Sequence, residues 1–234
     1  MRTLCLLLSF LCAFATIGKA QDNIRGAWKS AHGGVSSILL ITPNYFSITS
    51  YKDTSFIDTM GGTWKSDGSS DVAVKIEFNT EERNQIGWQG SVPVSYADGK
   101  LFTTQSGGQR VEWTRVDNGD GPLAGSWQIT GREQDGKMNT ISPGARKTVK
   151  ILTGTRFQWV AINTDTGEFF GTGGGTYTFE NGVYTEKIDF FSRDNSRVGA
   201  SLTFKGKVDG NSWDHSGLSS KGEPIHEVWT KPSM

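Results

Sequence analysis

The sequence predicts an all-β protein built as two tandem eight-stranded antiparallel up-and-down barrels. The first observation behind this fold class is composition: the 234-residue chain carries 30 glycines, 8 tryptophans and 13 phenylalanines, and no long amphipathic helical pattern. The second is that short alternating runs are separated by turn sequences, a pattern typical of antiparallel strands. The third is that the chain contains two copies of one strand-rich unit. Eight short strands in each copy suit closure into a barrel.

The duplication is visible as matched motifs at a nearly constant spacing. GAW at Gly26–Trp28 matches GSW at Gly125–Trp127 near the start of each copy. Further matches follow in the same order: Gly61–Trp64 with Gly174–Tyr177, Lys75–Phe78 with Lys187–Phe190, and Glu112–Arg115 with Val228–Lys231. The polar, turn-rich segment Asp117–Pro122 joins the two copies. We therefore expect a first barrel over residues 21–118 and a second over residues 123–234.

Strand-like runs bounded by turn residues place eight strands in each copy. In the first copy they lie near residues 26–31, 35–42, 44–51, 56–65, 71–79, 85–94, 100–105 and 110–116. In the second copy they lie near residues 125–132, 146–153, 155–163, 168–179, 183–192, 197–208, 211–217 and 224–231. The glycine run Gly171–Tyr177 fits a strongly bent barrel strand, because the helix that a phosphate loop requires does not follow it.

Residues 1–20 have the organisation of a secretory signal peptide. Arg2 precedes the apolar stretch Leu4–Ala15, and Gly18–Ala20 supplies the small residues of a cleavage site. Both cysteines lie in this leader, so we expect no disulfide and no cysteine metal site in the mature chain. The apolar stretch is too short for a membrane span. We therefore expect a secreted or periplasmic protein.

The charge balance and the motif content exclude several classes of partner. The chain has 24 basic and 24 acidic residues, which leaves no electrostatic footprint for nucleic acid. The sequence contains no phosphate loop, dinucleotide fingerprint, nucleophile elbow or zinc-protease motif. We therefore expect no cofactor and no metal, and the sequence leaves the oligomeric state open.

Strand alternation directs three ionisable side chains into the second barrel. Side chains on a strand alternate between faces, and the large Trp213 is expected to point inward together with His215. By the same alternation Glu186 shares a face with Tyr184, and Glu227 lies on the apolar face of the last strand. Burial of ionisable groups is costly unless they are paired. A cluster of this kind therefore indicates a functional site.

The first copy has uncharged residues at the matching positions, with Val74, Thr104 and Val111 in place of the three ionisable side chains. The predicted pocket is therefore specific to the second barrel, and the first barrel is expected to be filled. Aromatic side chains complete the expected lining of the second barrel: Phe157, Trp159, Tyr177, Tyr184 and Trp213. Aromatic walls with a few polar groups are typical of small-molecule pockets.

The second copy resembles a known family. Its string GGGTY…YTE…DFFSRD…VG…WxHxG…EVW, within residues 173–229, resembles secreted bacterial lipocalin-like (calycin) domains of uncharacterised function. The first copy resembles them more loosely, mainly through its GxW element. The resemblance implies that Trp28 and Trp127 are structural and lie beside a basic residue of the last strand, Arg115 and Lys231 respectively. It implies no activity, because the family has no settled one.

Three classes of function follow from these patterns. The sequence favours an exported protein that binds a small, partly apolar ligand in its second barrel, oriented by Glu186, His215 and Glu227. One alternative is an enzyme, an isomerase, lyase or hydrolase, in which Glu186 and His215 form an acid/base pair. The other is a structural surface protein without a pocket. A closed cavity lined by Phe and Trp favours binding, and two solid interiors favour the structural protein. A solvent-connected pocket with Glu186 at hydrogen-bond distance from His215 favours the enzyme.

Overall fold

The computed structural model describes residues 23–67, 70–104 and 108–232. These residues form two closed antiparallel barrels in tandem, which confirms the predicted fold class. In each barrel consecutive wall strands pair with one another, and the last strand pairs back with the first. The predicted signal peptide lies outside the described residues. Within the described ranges, no helix is long and apolar enough to cross a membrane.

The first barrel has eight strands in up-and-down order. Their bounds are β1 Gly26–His32, β2 Val35–Ile41, β3 Tyr45–Lys52, β4 Ser55–Lys65, β5 Asp71–Asn79, β6 Gln89–Ala97, β7 Lys100–Thr104 and β8 Arg110–Asp117. The barrel closes where β8 pairs with β1, with Arg115 opposite Trp28. These strands match the predicted ones closely except at the start of β6.

The second barrel has the same eight-stranded wall and one additional short strand. The bounds are β9 Gly125–Gln134, β10 Lys137–Thr140, β11 Arg146–Leu152, β12 Arg156–Asn163, β13 Glu168–Glu180, β14 Val183–Phe191, β15 Ser201–Asp209, β16 Ser212–Leu218 and β17 Pro224–Thr230. Strand β10 pairs only with the distal half of β9, and β17 closes the wall against β9. Strand β10 was not predicted from the sequence, because four residues are too few to show alternation.

Two of the predicted strand starts were wrong, and both errors have the same physical cause. Strands β6 and β15 were expected near residues 85 and 197, but these positions lie in short 3-10 turns, Arg83–Gln85 and Asn195–Arg197. Each turn leads to a glycine with positive φ, 88° at Gly87 and 87° at Gly199. That left-handed conformation favours glycine and interrupts an extended run, so in each barrel the strand begins only at the second residue after the glycine.

The GxW tryptophans occupy the same structural position in both barrels. Trp28 is fully buried and its indole N–H donates to the carbonyl of Ile24 at 2.8 Å. Trp127 is equally buried and donates to the carbonyl of Leu123, also at 2.8 Å. Each indole therefore ties the segment before the first strand to one end of its barrel.

Basic side chains cover both tryptophans, as the resemblance implied. The Arg115 guanidinium lies 3.9 Å above the centre of the Trp28 ring, and the Lys231 ammonium lies 4.7 Å from that of Trp127. The glycine of the motif is required by close packing, because a Cβ on Gly26 would lie 2.1 Å from the carbonyl oxygen of the last strand. Cation–π contacts of this kind contribute about 0.5–1 kcal/mol each at exposed sites.

The barrels pack against each other through the outer faces of their early strands. Gln158 on β12 is 1% exposed and bridges the two barrels. Its carbonyl accepts from Thr49 at 3.0 Å, and its amide donates to Thr59 and Thr172 at 3.0 Å each. An apolar cluster surrounds it: Ala27, Ile38, Leu40, Tyr45, Phe78, Val149, Ile151, Val160 and Ile162. Strands such as β11 are therefore buried on both faces, one in the barrel and one in the interface.

Candidate functional site

A cavity of about 1430 Å³ occupies the first barrel. Typical ligand pockets measure about 300–1,000 Å³, and this volume is larger because it extends to exposed residues at one end. Trp64 and Trp113, 3% and 1% exposed, close the opposite end as a floor. Their indole N–H groups donate to the carbonyl of Thr42 and the hydroxyl of Thr103, at 2.8 and 2.9 Å. The floor is thus held in place by its own hydrogen bonds.

Above the floor the cavity wall is aliphatic. Leu39, Ile48 and Met60 are register neighbours on β2, β3 and β4 and line one side. The other walls add side chains from β5 to β8: Val72, Val74, Ile76, Val92, Val94, Leu101 and Val111. A wall of this composition offers dispersion contacts and no directional hydrogen bond. It therefore suits the apolar part of a ligand.

A polar collar lies one layer nearer the mouth. Ser30, Ser37, Ser50 and Asp58 are register neighbours across β1 to β4, and all four line the cavity. Side chains two positions apart on a strand share a face, which places this row directly above the aliphatic layer. The hydroxyls of Ser37 and Ser50 lie 3.2 Å apart. The cavity is therefore apolar at depth and polar at its rim.

The rim carries negative charge beside one exposed aromatic ring. Burial raises the pKa of the Asp58 carboxyl, and the neighbouring Glu81 raises it further, while a hydrogen bond with Ser50 opposes both effects. Glu81 lies in the segment after β5 and also lines the mouth. Trp88, 47% exposed, lines the same opening. The mouth can therefore hold the polar end of a ligand whose apolar end lies below.

The residues predicted to form the site lie together inside the second barrel, and they fill it. Glu186, His215 and Glu227 are 5%, 2% and 6% exposed on β14, β16 and β17. Phe157, Tyr177, Tyr184 and Trp213 belong to the buried cluster of this barrel, and Trp159 packs against it, partly buried. The inward direction predicted for these side chains is thus confirmed. Whether they contact a ligand stays a prediction.

Lys150 on β11 is the central cation of the second barrel. Its position inside the barrel was not predicted from the sequence. Its ammonium, on a side chain 5% exposed, donates to Glu186 Oε1 at 2.5 Å. Tyr184 also donates to Glu186 Oε1, at 2.9 Å. Four aromatic rings surround the ammonium, with centroids 4.8 to 5.6 Å away: Phe157, Tyr184, Trp213 and Trp229. An aromatic cage with a carboxylate is the usual protein site for an ammonium group, and here the chain supplies the ammonium itself.

Glu227 has hydrogen-bond partners, whereas His215 has none within the part of the chain that the structure describes. Arg132 donates to Glu227 Oε1 at 2.6 Å, and the Trp229 indole donates to Oε2 at 3.1 Å. His215 Nδ1 lies 3.8 Å from Glu227 Oε2, beyond hydrogen-bond distance. Among the described residues, neither ring nitrogen of His215 has a hydrogen-bond partner. The ring packs instead against Phe204 in a tilted arrangement, with centroids 4.2 Å apart.

The surroundings of His215 keep it neutral. Burial lowers the pKa of its imidazole to about 2, and the positive charge of Lys150 acts in the same direction. Glu186 Oε1 is taken by Lys150 and Tyr184, so the expected Glu186–His215 acid/base pair is not a hydrogen-bonded pair in this structure. A general base must come within about 3 Å of its substrate. Side chains this deeply buried offer no such approach from solvent.

Seven register-matched positions distinguish the interiors of the two barrels. The first barrel has Leu39, Val72, Val74, Val92, Leu101, Thr103 and Val111. The second has Lys150, Tyr184, Glu186, Phe204, Trp213, His215 and Glu227. The second set is aromatic or ionisable at every position, and Tyr184, Phe204, Trp213 and His215 are clearly larger than their counterparts. The reverse holds at Met60 and Val94, which match Gly173 and Gly206.

Two expectations about the copies need correction. The residue that matches His215 is Thr103 and not Thr104, because Thr103 pairs with Val111 just as His215 pairs with Glu227. The pairing gives one constant offset from β5 to β7, which matches Val74 with Glu186, Val92 with Phe204 and Thr103 with His215. The match of His215 with Thr104 was therefore one residue out of register. The first barrel was also expected to be filled, whereas it contains the large cavity. Its inward aliphatic side chains line the wall of the closed barrel and leave the centre unoccupied.

Comparison with known proteins adds no identification. No protein-family model matches the chain, and no curated protein matches its sequence. Across the described ranges, no group of three or more His, Asp or Glu side chains is placed to hold a metal ion. The geometry of the two barrels therefore carries the functional argument.

Proposed function

We propose that the protein binds a small, mainly apolar molecule in the cavity of its first barrel. The observation that carries this proposal is the cavity of about 1430 Å³, floored by Trp64 and Trp113 and walled by aliphatic side chains. A small barrel either packs its interior or encloses one ligand. The second barrel does the first, so its role in this proposal is structural support.

Two features favour binding over the alternatives. The cavity combines an apolar interior with a few polar groups at one end, which is the usual composition of a ligand pocket. The cluster that suggested catalysis, Glu186 with His215, is buried and Glu186 is engaged by Lys150. The strand order and the GxW elements are consistent with a lipocalin-like (calycin) family, and we place the protein there as part of the proposal. The leader sequence at residues 1–20 favours export.

Filling the cavity should abolish binding. The variant carrying Val72→Tyr and Val92→Phe introduces the side chains that Tyr184 and Phe204 provide in the second barrel. We expect the fluorescent probe N-phenyl-1-naphthylamine to bind the natural protein and to bind this variant at least about tenfold more weakly, a difference of about 1.4 kcal/mol.

The matched control is Ala73→Tyr, which adds the same ring on the exposed face of β5. It should bind the probe like the natural protein. Circular dichroism must show that the filled variant retains its strands. Equal affinity of the filled variant and the natural protein would place the probe elsewhere and contradict the proposal.

A further inference from the structure

The first barrel has two neighbouring carboxylates, Asp58 and Glu81, at its mouth. Asp58 points inward from β4, in the polar collar, and Glu81 lies beside it at the mouth. Among the ion pairs of the described residues, neither carboxylate takes part in one. Like charges at close range repel each other, so this corner of the cavity favours a positive group.

Arg110, which lines the cavity, and two basic side chains of neighbouring segments are directed elsewhere. The Arg110 guanidinium lies 3.9 Å above the Phe102 ring. Arg83 donates to the carbonyl of Gly167 in the second barrel at 3.2 Å. The end of the Lys52 side chain lies over Gly34, 3.6 Å from where a Cβ would stand. None of these three groups neutralises the two carboxylates.

The remaining acidic residues of the lining already have polar partners. Glu112 is paired with Lys100. Glu82 accepts a hydrogen bond from the amide of Gln85. Gln85 is neutral, so Glu82 keeps its charge, and the negative charge facing the cavity without an ion pair among the described residues lies on Asp58, Glu81 and Glu82. Asp58 and Glu81 are the two of these that interact directly with each other.

The second barrel has a cation at the matching corner. Register places Gly171 at the position of Asp58, since Gly171 faces Ala161 as Asp58 faces Ser50. Two residues after the end of β14, Arg193 occupies the position of Glu81. Its guanidinium packs on Gly171, where a Cβ would lie only 2.6 Å from Nε, and it donates to the carbonyl of Phe170. The second barrel thus covers this corner with its own positive group.

Building on the proposed function, we propose that the ligand of the first barrel is an apolar amine whose protonated nitrogen binds at Asp58 and Glu81. Its hydrocarbon part contacts the aliphatic wall above Trp64 and Trp113, and its ammonium takes the corner that Arg193 covers in the other barrel. The serine hydroxyls of the collar accept further hydrogen bonds from the ammonium. A fatty-acid anion of the same length would bring a third negative charge to this corner and bind more weakly.

Isothermal titration with three probes of equal chain length tests this charge selectivity: n-decylammonium, n-decanol and n-decanoate, each below its micelle concentration. We expect n-decylammonium to bind about tenfold more tightly than n-decanoate, with n-decanol between them. The variant carrying Asp58→Asn and Glu81→Gln should bind all three with similar affinity. The control Glu180→Gln, an exposed carboxylate on the second barrel, should keep the natural preference.

The possible outcomes separate this inference from the binding function on which it rests. Equal binding of the three probes, or tightest binding of n-decanoate, would overturn the amine inference and leave apolar binding intact. A preference for n-decylammonium that persists in the double variant would overturn the roles of Asp58 and Glu81. Failure of all three probes to bind would overturn both the inference and the proposed function.

Discussion

Lys150 and Glu186 show at the residue scale what separates the two barrels. The matching pair in the first barrel is Leu39 and Val74, which are both aliphatic. Replacing two aliphatic residues by a buried ion pair is often neutral or costly, but removing one partner of such a pair is strongly destabilising. The pair is therefore expected to behave as a unit.

Replacing one partner of this ion pair should destabilise the fold strongly, whereas replacing both partners should not. We expect Lys150→Met or Glu186→Gln alone to lower the free energy of unfolding by about 3–5 kcal/mol, because each leaves a buried charge unpaired. The double variant should recover most of that loss. Urea unfolding of the four proteins measures the coupling, with the exposed Lys187→Met as a control. Additive effects of the two substitutions would contradict this account.

Strand alternation predicted the inward direction of Glu186, His215 and Trp213, because β14 and β16 each have one buried and one exposed face. The same alternation did not predict the inward direction of Lys150. Its neighbours Val149 and Ile151 are buried as well, since the other face of β11 packs against the first barrel. A strand that is buried on both faces has a continuous apolar sequence without alternation. Such a sequence does not indicate to which face a lysine within it points.

Asp117 at the end of β8 links structural elements of the two barrels. Its Oδ1 accepts from the backbone N–H groups of Ala27, Gly119 and Gly154 at 2.9 to 3.1 Å. Its Oδ2 accepts from the hydroxyl of Thr153 at 2.8 Å, and from the N–H and hydroxyl of Thr155 at 2.9 and 2.8 Å. One carboxylate therefore joins β1, the linker and the β11–β12 turn.

The pKa of Asp117 gives this link a defined pH dependence. Burial alone would raise the pKa, but the hydrogen bonds from Gly154, Thr155, Thr153 and Gly119 outweigh it and lower the pKa. A lowered pKa in the folded state means that the carboxylate stabilises the fold above its unfolded pKa of about 3.9. That contribution is lost as the pH falls through the folded pKa.

Asp117→Asn should therefore destabilise the protein at neutral pH and much less in acid. The amide keeps one acceptor oxygen, so we expect the free energy of unfolding at pH 7 to fall by about 2 kcal/mol or more. The difference from the natural protein should shrink as the pH falls below about 4. Denaturant unfolding at several pH values measures it, and Asp120→Asn in the exposed linker is the control. A difference that does not change with pH would contradict the assigned role.

The strand elements themselves were largely predictable from sequence, because turn chemistry and alternation are local properties. The exceptions were β10 and the starts of β6 and β15. In the last two, a 3-10 turn and a positive-φ glycine interrupt an apolar run that otherwise reads as strand. Local propensity does not reveal where such a turn ends.

The molecule as a whole contains two duplicated barrels that share one strand order and have different interiors. The matched positions were visible in the sequence, and so was their change from aliphatic to aromatic and charged. Their consequence for volume was not, because it depends on how far the opposite walls of a closed barrel stand apart. Large inward aromatic side chains predict the lining of a pocket, but in the second barrel they pack together in one buried cluster.

The central claim is that the first barrel is hollow and holds the ligand while the second is filled. The most direct measurement is a crystal structure of the protein soaked with n-decanol, compared with the unsoaked crystal. The account predicts difference density for an extended chain between Trp64 and the collar at Ser37, with none inside the second barrel. Density beside His215 and Lys150, or a first barrel closed by its own side chains, would contradict it.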